Sequence, residues 1–543
     1  MRIALPVLTA EIAALAVFYF RQSAAIAGGY GFPLDDSWIH SHFARNMAEG
    51  RGFVYNPGQP CPSSSLLYTL ALSAVFAARP DPVSGAAALG LLLHLGASAL
   101  VYAAARVLCA NRVVAGFAAV AFAGTPRLVW GALSGMEVPL YVFLVALGVL
   151  LHVRHGASDG LRSYLSTAAF SLAAAARPEC AALAAFAILD RTASARRHRC
   201  STRSAAAVLA GHLLLFCLVV FPVVVFNLSA TGRPLQPAFY TKTAAGRSPD
   251  FARTMLEGVS AARAYLGKAA VACFRDNAVV AVAVLPGVMV FLRRLRSESP
   301  GVVVLPAGLL GVPIATALCA RTGDGGLQML CQMGRYSAYL APLAVVTAAV
   351  GVDACIRVLT DRRRPVRRAG IASIVTIAAA SIVVMISGNL GTARVYARQV
   401  ENISQMQAAI GKWAYALPDD AVIAVNDAGA IAYFSRKRII DIVGVVNPEL
   451  HDYRQARGTS QHATLEYLRE RRPDYIVIFP DWCPIIAADA RLEPIRTVRL
   501  DNNTVCGEDR MVVFKAHWGE RAPNRSPMSG QSSTAGVAPS HRK

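Results

Sequence analysis

Two adjacent carboxylates, Asp35 and Asp36, follow the first apolar stretch of the chain and open a loop rich in aromatic and polar residues. A charge at the centre of a bilayer costs roughly 2.5–3.5 kcal/mol on insertion scales, so acids beside lipid are kept where they face water or a partner. Residues 36–49 read as a helix, and a single Asp is enough to cap it. The other carboxylate is then available for chemistry. Like-charge repulsion between neighbours raises one pKa, which suits a general base toward a sugar hydroxyl. A divalent metal held by Asp35 and Asp36 is the alternative use of the pair. His40, four residues after Asp36, can share its helix face, although a solvated histidine is the simpler reading.

Other acids adjoin apolar runs at Glu137 and Glu179. Either can bind a sugar hydroxyl, hold Arg177 or share a metal; a local ion pair with Arg177 accounts equally well for Glu179. Asp427 follows a β-like stretch and opens a glycine-containing turn, where a helix cap explains it better than a ligand position does. The chain has no Gly-rich phosphate loop, no zinc-ligand spacing and no convincing Ser-His-Asp set.

The elements that must position these residues are mostly membrane. The chain has 543 residues, 55% hydrophobic and only 16% charged, with a mean hydropathy of +0.43. Soluble domains carry about 25% charged residues, so this composition is that of a polytopic membrane protein. The formal net charge of +21 falls largely in short loops between apolar runs, which the positive-inside rule explains without nucleic acid. Apolar runs lie near 4–20, 63–78, 84–108, 113–130, 137–153, 163–189, 205–228, 278–292, 301–319, 336–357 and 369–388. Each is expected to be helical, because an isolated strand cannot satisfy its backbone in lipid. Allowing for broken runs, about 11–13 transmembrane helices are expected. Met1–Phe20 could pass for a signal peptide with a cleavage site at Ala25-Ile26-Ala27, but its weak basic start and the spans that follow favour an uncleaved first span.

Basic clusters at Arg191–Arg203, at Arg293-Arg294-Leu295-Arg296 and at Arg362–Arg368 are expected to be cytoplasmic. That puts 229–277, 320–335 and everything after 389 on the opposite face, joined by 21–62 if the N-terminus is inside. Between 84 and 190 strict alternation conflicts with the charge rule. A run 63–78 that does not cross, with 163–189 broken at Arg177-Pro178-Glu179, removes the conflict and puts Glu137 and Arg177 on the face of Asp35.

The pattern changes after 389. An amphipathic helix is expected over 395–416 and another helix over 462–472. β-like stretches lie at 421–425, 439–446 and 475–479, with shorter ones at 496–500 and 511–515. This alternation predicts a small α/β domain. The expected division is a membrane domain 1–390 whose loop 21–62 carries the site, a soluble extracytoplasmic α/β domain 391–518, and a disordered tail 519–543 rich in Ser, Pro, Gly and Ala. Of eleven cysteines, Cys483 and Cys506 can pair in an extracytoplasmic domain or remain separate thiols.

The Asp-Asp pair and the following Phe43-Ala44-Arg45-Asn46-Met47-Ala48-Glu49-Gly50-Arg51-Gly52-Phe53-Val54-Tyr55-Asn56-Pro57-Gly58 resemble the bacterial GT-C glycosyltransferases. The likeness is to the arabinofuranosyltransferase and mannosyltransferase-like group, with aminoarabinose and protein O-mannosyl transferases as relatives. Further matching pieces are Ser134-Gly135-Met136-Glu137-Val138-Pro139, Ala176-Arg177-Pro178-Glu179, Phe239-Tyr240-Thr241-Lys242-Thr243 and Gly334-Arg335-Tyr336. Asp427-Ala428-Gly429-Ala430-Ile431-Ala432-Tyr433-Phe434 and Asp441-Ile442-Val443-Gly444 follow. The resemblance covers most of 1–450. The chain departs from it at Pro60-Cys61-Pro62-Ser63-Ser64-Ser65, where a Gly-Ser-Thr-Ser-Pro-like turn belongs.

This resemblance implies a GT-C fold with an extracytoplasmic α/β domain, in a bacterial inner membrane. It implies transfer of a sugar, with inversion, from a polyprenyl-phosphate donor to a cell-envelope glycan, lipid or protein. Asp35 or Asp36 would be the base. Cations must receive the lipid phosphate, and Arg335, Lys242 and Arg177 are the candidates. Arg335 could instead anchor a phospholipid headgroup. Glu137, Glu179, Tyr240, Tyr336 and His40 would line the substrate. A polytopic transporter or lipid flippase, or a non-catalytic assembly protein of the envelope, is the rival reading. A transporter predicts charged residues near mid-bilayer in repeat-related helices, and the chain shows no repeat.

Overall fold

The structure is a computed structural model that describes residues 3–79, 81–155, 160–197, 202–242, 267, 271, 275–296, 303–319, 331–458 and 460–519. Much of the expected loops 229–277 and 320–335, and nearly all of the expected tail, fall outside the described residues.

The apolar runs are helical. The first is α1 (Ala4–Ala27), followed by the loop helix α2 (Asp35–Ala48) and by α3 (Leu66–Ala78) and α4 (Pro82–Leu108). Asp81 starts α4 by accepting a hydrogen bond from the Ser84 N–H at 3.0 Å, with Pro82 in the first turn, where its missing N–H costs nothing. Next come α5 (Arg112–Ala123), α6 (Pro126–Leu133), α7 (Val138–Arg154), α8 (Leu161–Ala176), α9 (Ala181–Arg197) and α10 (Thr202–Thr231). The short α11 (Pro237–Lys242), then α12 (Ala278–Arg296), α13 (Val304–Cys319), α14 (Leu340–Thr360) and α15 (Arg364–Ile403) complete the helical part. Among the described residues five helices are long and apolar enough to cross a membrane, or six if the bent pair α5–α6 is one span. The expected 11–13 is reached only by counting shorter helices such as α3 and α7.

Two breaks occur where the sequence places proline. α5 and α6 meet at 53°, and the Gly124 carbonyl freed there accepts from Asn389 Nδ2 at 2.8 Å. Backbone broken within a bundle must be satisfied internally, and a helix partner does so. At Arg177-Pro178-Glu179 the chain leaves the helix with Arg177 extended and passes through a 3-10 turn, Pro178–Cys180. The expected split of 163–189 is therefore present.

α15 runs for 40 residues, about 60 Å at 1.5 Å per residue. It crosses the expected boundary at 390 without interruption, and the helix expected from 395 is its far half. A single π turn, Ser404–Ala408, leads into α16 (Ala409–Ala414). α15 is bolted to the rest by buried polar contacts: Tyr19 donates to Asn389 at 3.0 Å, Trp130 to Gln399 at 2.9 Å, and Tyr396 to the Gly31 carbonyl at 3.0 Å.

Beyond it lies a five-stranded mixed sheet, β1 (Val422–Val425), β2 (Arg438–Asp441), β3 (Tyr475–Ile478), β4 (Leu492–Arg499) and β5 (Arg510–Ala516), in the order β2-β1-β3-β5-β4. β1 is parallel to β2 and β3, while β5 is antiparallel to β3 and β4. The β1–β2 crossover carries α17 (Ala430–Ser435), and β2 returns to β3 through α18 (Glu449–Arg457) and α19 (Gln461–Arg471). β2 is shorter than expected. The Asp441 carboxylate accepts from the N–H groups of Val443, Val445 and Val446, and this turns 442–446 away from the sheet.

The two sheet faces have different partners. One buries Ile423, Val425, Val477 and Val513 against Ile39 and Phe43 of α2 and Ile431 of α17. The other buries Ala424, Ile476 and Phe514 against Leu465 and Leu468 of α19. The α/β part is thus built directly onto the loop helix that carries the aspartates. Cys483 and Cys506 are both free thiols.

Candidate active site between the loop helix and the α/β domain

Neither aspartate caps its own helix: α2 begins at Leu34 with no side-chain cap. Asp35 instead reaches the α/β domain. Its Oδ2 accepts from the Gly429 N–H at 2.6 Å and its Oδ1 from the Ala430 N–H at 2.7 Å. It therefore caps α17, a role expected of Asp427. Gly429 is required here, because a Cβ at that position would collide with the Asp35 carbonyl. Burial pushes the Asp35 carboxyl well above the ordinary range, reinforced by repulsion from Asp427 and Asp36 and opposed by the two N–H groups.

Asp36 turns the other way. Its Oδ2 accepts from Arg335 Nη2 at 2.6 Å. The carboxylate side chain is 36% exposed, while its arginine partner is 3% exposed. Arg335 follows three residues in the left-handed region, Gln332, Met333 and Gly334, with φ of 51°, 59° and 67°. Only glycine adopts that region without cost, so this turn is a locally strained lead into the arginine. A guanidinium so enclosed is not a surface anchor for headgroups.

Arg335 extends the pair into a network. Its Nη2 also donates to the Tyr336 hydroxyl at 2.8 Å, and its guanidinium stands 4.8 Å from the Tyr336 ring centroid. Arg177 stands 4.7 Å from the same ring. Arg177 in turn bonds Glu137 and, at 2.8 Å, Glu179. Glu137 Oε2 lies 3.4 Å from His40 Nε2, and His40 Nδ1 lies 3.0 Å from Thr69 Oγ1. His40 is 1% exposed, so it is a buried member of the network and not the solvated side chain expected.

Local geometry aims Glu137 at this network. Gly135 takes φ 72°, and a Cβ there would strike the Phe32 ring. Ser37 of α2 donates to the Ser134 carbonyl at 2.7 Å, which fixes the turn to the loop helix.

Asp427 is the residue whose place the sequence reading missed. Its Oδ2 accepts from Gln407 Nε2 at 2.8 Å. Burial raises its carboxyl to about 6; the Gln407 bond opposes this, and repulsion from Asp36 and Asp441 adds to it. Its position two residues before Gly429 signalled a turn, but nothing local signalled that the turn would lie against α2.

Tyr240 is placed elsewhere. Its hydroxyl accepts from the Leu235 N–H at 3.4 Å, and Arg233 stands 5.2 Å from its ring centroid. Arg233 pairs with Asp452 of α18 at 2.9 Å. Lys242 ends α11, and its side chain lies outside the described residues.

Both carboxylates of the aspartate pair are already engaged by protein groups. Asp35 accepts backbone N–H bonds on both oxygens, and Asp36 pairs with a guanidinium. Among the described residues no group of three or more His, Cys, Asp and Glu side chains is arranged to hold a metal ion.

Residues 395–518 match a family profile described as a domain of unknown function, DUF8728. No curated protein matches the chain in sequence. Solved structures do match in fold. ArnT from Cupriavidus metallidurans bound to undecaprenyl phosphate superposes with a TM-score of 0.56 at 12% identity, covering 93% of this chain and 97% of that one. The oligosaccharyltransferase AglB from Archaeoglobus fulgidus, in complex with an inhibitory peptide and a dolichol-phosphate, gives a TM-score of 0.54 at 11% identity, covering 87% of this chain and 69% of that one. The chain is a multi-pass membrane protein with the fold of the GT-C glycosyltransferases.

Proposed function

We propose that this protein moves a sugar from a polyprenyl-phosphate donor to a cell-envelope acceptor on the extracytoplasmic face, with inversion. The observation that carries the reading is the pairing of a half-exposed carboxylate, Asp36, with a buried arginine, Arg335, beside a second buried arginine, Arg177. Such a site has both halves of the chemistry: a base for the incoming hydroxyl and fixed cations for the leaving phosphate. The ArnT structure with undecaprenyl phosphate supports a lipid-phosphate ligand for a chain of this fold.

Asp36 is the base. Asp35 engages both its oxygens with the backbone and acts as a clamp. The donor phosphate draws the Arg335 guanidinium by bidentate contact, which loosens its hold on Asp36. The acceptor oxygen then attacks the anomeric carbon from the face opposite the phosphate, and Asp36 takes its proton. The bond from the anomeric carbon to the phosphate oxygen breaks, and polyprenyl phosphate leaves with its new charge on Arg335 and Arg177, joined by Lys242.

Orientation follows from charge. α14 covers 21 residues, about 31 Å, between Arg335 and the cluster Arg362–Arg368. The positive-inside rule puts that cluster in the cytoplasm and Asp36 on the opposite face.

The test is to incubate the purified protein with a panel of polyprenyl-phosphate sugars and envelope acceptors and to follow release of polyprenyl phosphate. Release that is abolished in Asp36→Asn is expected. No release from any donor would reject the reading.

A further inference from the structure

A cavity of about 490 Å³ lies away from the aspartates, between the tip of the first loop, the outer end of α10 at Ala230 and the edge strand β2. Its volume is within the roughly 300–1,000 Å³ of ligand pockets. Its walls mix apolar and polar side chains, and the polar ones are held in place from outside. Asn56 substitutes for a missing neighbour of β2: its Nδ2 donates to the Ile439 carbonyl at 2.8 Å, and its Oδ1 accepts from the Ile439 N–H at 2.9 Å. The bridge between Val54 and Pro60 stiffens the loop that carries it. On the opposite wall Asn447 Nδ2 donates to the Tyr467 hydroxyl at 3.0 Å, which leaves the phenolic O–H free to donate. Glu449 pairs with Arg471 at 2.8 Å.

Two lining residues are different. Gln59 and Arg438 are exposed, and neither makes a side-chain hydrogen bond or ion pair among the described residues. The cavity thus offers an amide, a guanidinium, a phenolic O–H and the carboxylate of Glu449, in a frame already fixed. This mixture of donors and acceptors suits vicinal hydroxyls. It does not suit a lipid phosphate, because Glu449 offsets Arg471 and leaves a single unpaired cation.

We propose that this cavity is a saccharide subsite that holds a sugar unit of the acceptor remote from the reacting hydroxyl. The inference rests on the transferase reading and names where its acceptor docks. Tyr55 forms part of the cavity wall, and its hydroxyl bonds the Ala428 carbonyl. Ala428 adjoins Gly429, whose N–H Asp35 holds. The buried Tyr55 side chain thus joins the cavity wall to the backbone that Asp35 holds, on the same α/β domain that packs against the loop helix. Remote binding of this kind orients the reacting group and lowers the entropic part of the barrier.

The test measures binding of an arabinofuranose hexamer and a mannose hexamer to the full-length protein by calorimetry, with no donor present. At least one hexamer is expected to bind. Gln59→Ala and Arg438→Ala, both at exposed positions, are each expected to raise its Kd about fivefold to tenfold, the worth of one or two hydrogen bonds. Arg499→Ala on the far edge strand serves as the control. Absence of binding by either hexamer, or a Kd unchanged in both cavity variants, overturns the subsite. Because the readout needs no donor, it is independent of polyprenyl phosphate release, which alone decides the transferase reading.

Discussion

Asp36 and Arg335 meet at 2.6 Å although 299 positions separate them in the chain. The pair joins the loop after the first span to the residue just ahead of α14. A carboxylate so paired is a weak base, and a guanidinium so paired is a weak phosphate ligand, until a third charge divides them. In the proposed reaction the donor phosphate would supply that charge, and the pair would couple donor arrival to release of the base.

Replacing Asp36 by Asn separates these roles. Turnover is expected to fall about 10²–10⁴-fold, the usual worth of a general base. Affinity for polyprenyl phosphate is expected to stay or tighten, since Arg335 loses its competitor. Steady-state transfer and direct binding of polyprenyl phosphate check both halves; normal transfer by a well-folded variant would remove Asp36 from the mechanism.

Asp35 is expected to behave as a structural clamp. Asp35→Ala loses two hydrogen bonds that backbone N–H groups donate to a carboxylate and should destabilise the α/β domain by about 2–4 kcal/mol. Amide exchange at Gly429 and Ala430 should accelerate. Asp35→Asn keeps one oxygen acceptor and should show a smaller loss, read by the same exchange experiment and by thermal unfolding.

Gly429→Ala examines the same junction from the other side. The added methyl meets the Asp35 carbonyl, so the docking of α2 on α17 must shift. A loss of about 1–3 kcal/mol is expected, as for other overpacked sites. A Tm equal to that of the unaltered protein would show that the approach is looser than described.

Glu137→Gln leaves Arg177 with Glu179 alone in a buried setting. Removing one partner of a buried pair costs about 3–5 kcal/mol, whereas removing both costs far less. Glu137→Gln combined with Arg177→Met should therefore be more stable than Glu137→Gln alone, which a double-mutant cycle of unfolding measures.

Asp427 gives a pH dependence with a definite sign. Its folded-state carboxyl, raised to about 6, lies above the unfolded value of about 3.9. Between these values the folded state binds more protons, so stability declines as pH rises from about 4 to about 6, with no further change from this group above that. Asp427→Asn should flatten the stability profile across this window. A profile of unchanged slope would mean that Asp427 titrates normally.

The helical part and its breaks were legible because their causes are local. Pro178 between two charges marked the interruption of 163–189, and long apolar runs marked helices. The order of strands and helices after 421 likewise follows from short-range patterning. The count of spans was less legible. α3 and α7 are apolar but fall short of the length that a lone crossing needs, and hydropathy cannot say whether neighbours cover their ends.

By itself the sequence determined that Asp35 and Asp36 lie beside a membrane span, that Glu137, Arg177 and Arg335 adjoin others, and that the chain ends in an α/β unit. Only the tertiary structure decided what each does. It gave Asp35 to the backbone of Gly429 and Ala430, Asp36 to Arg335, and Arg177 to Glu137 and Glu179. It also brought Asp427 to the same place and buried His40. The physical reason is that two identical neighbouring carboxylates differ only in which way their helix turns them. That direction is set by packing of α2 against the sheet, between residues hundreds of positions apart, and local sequence carries no trace of it.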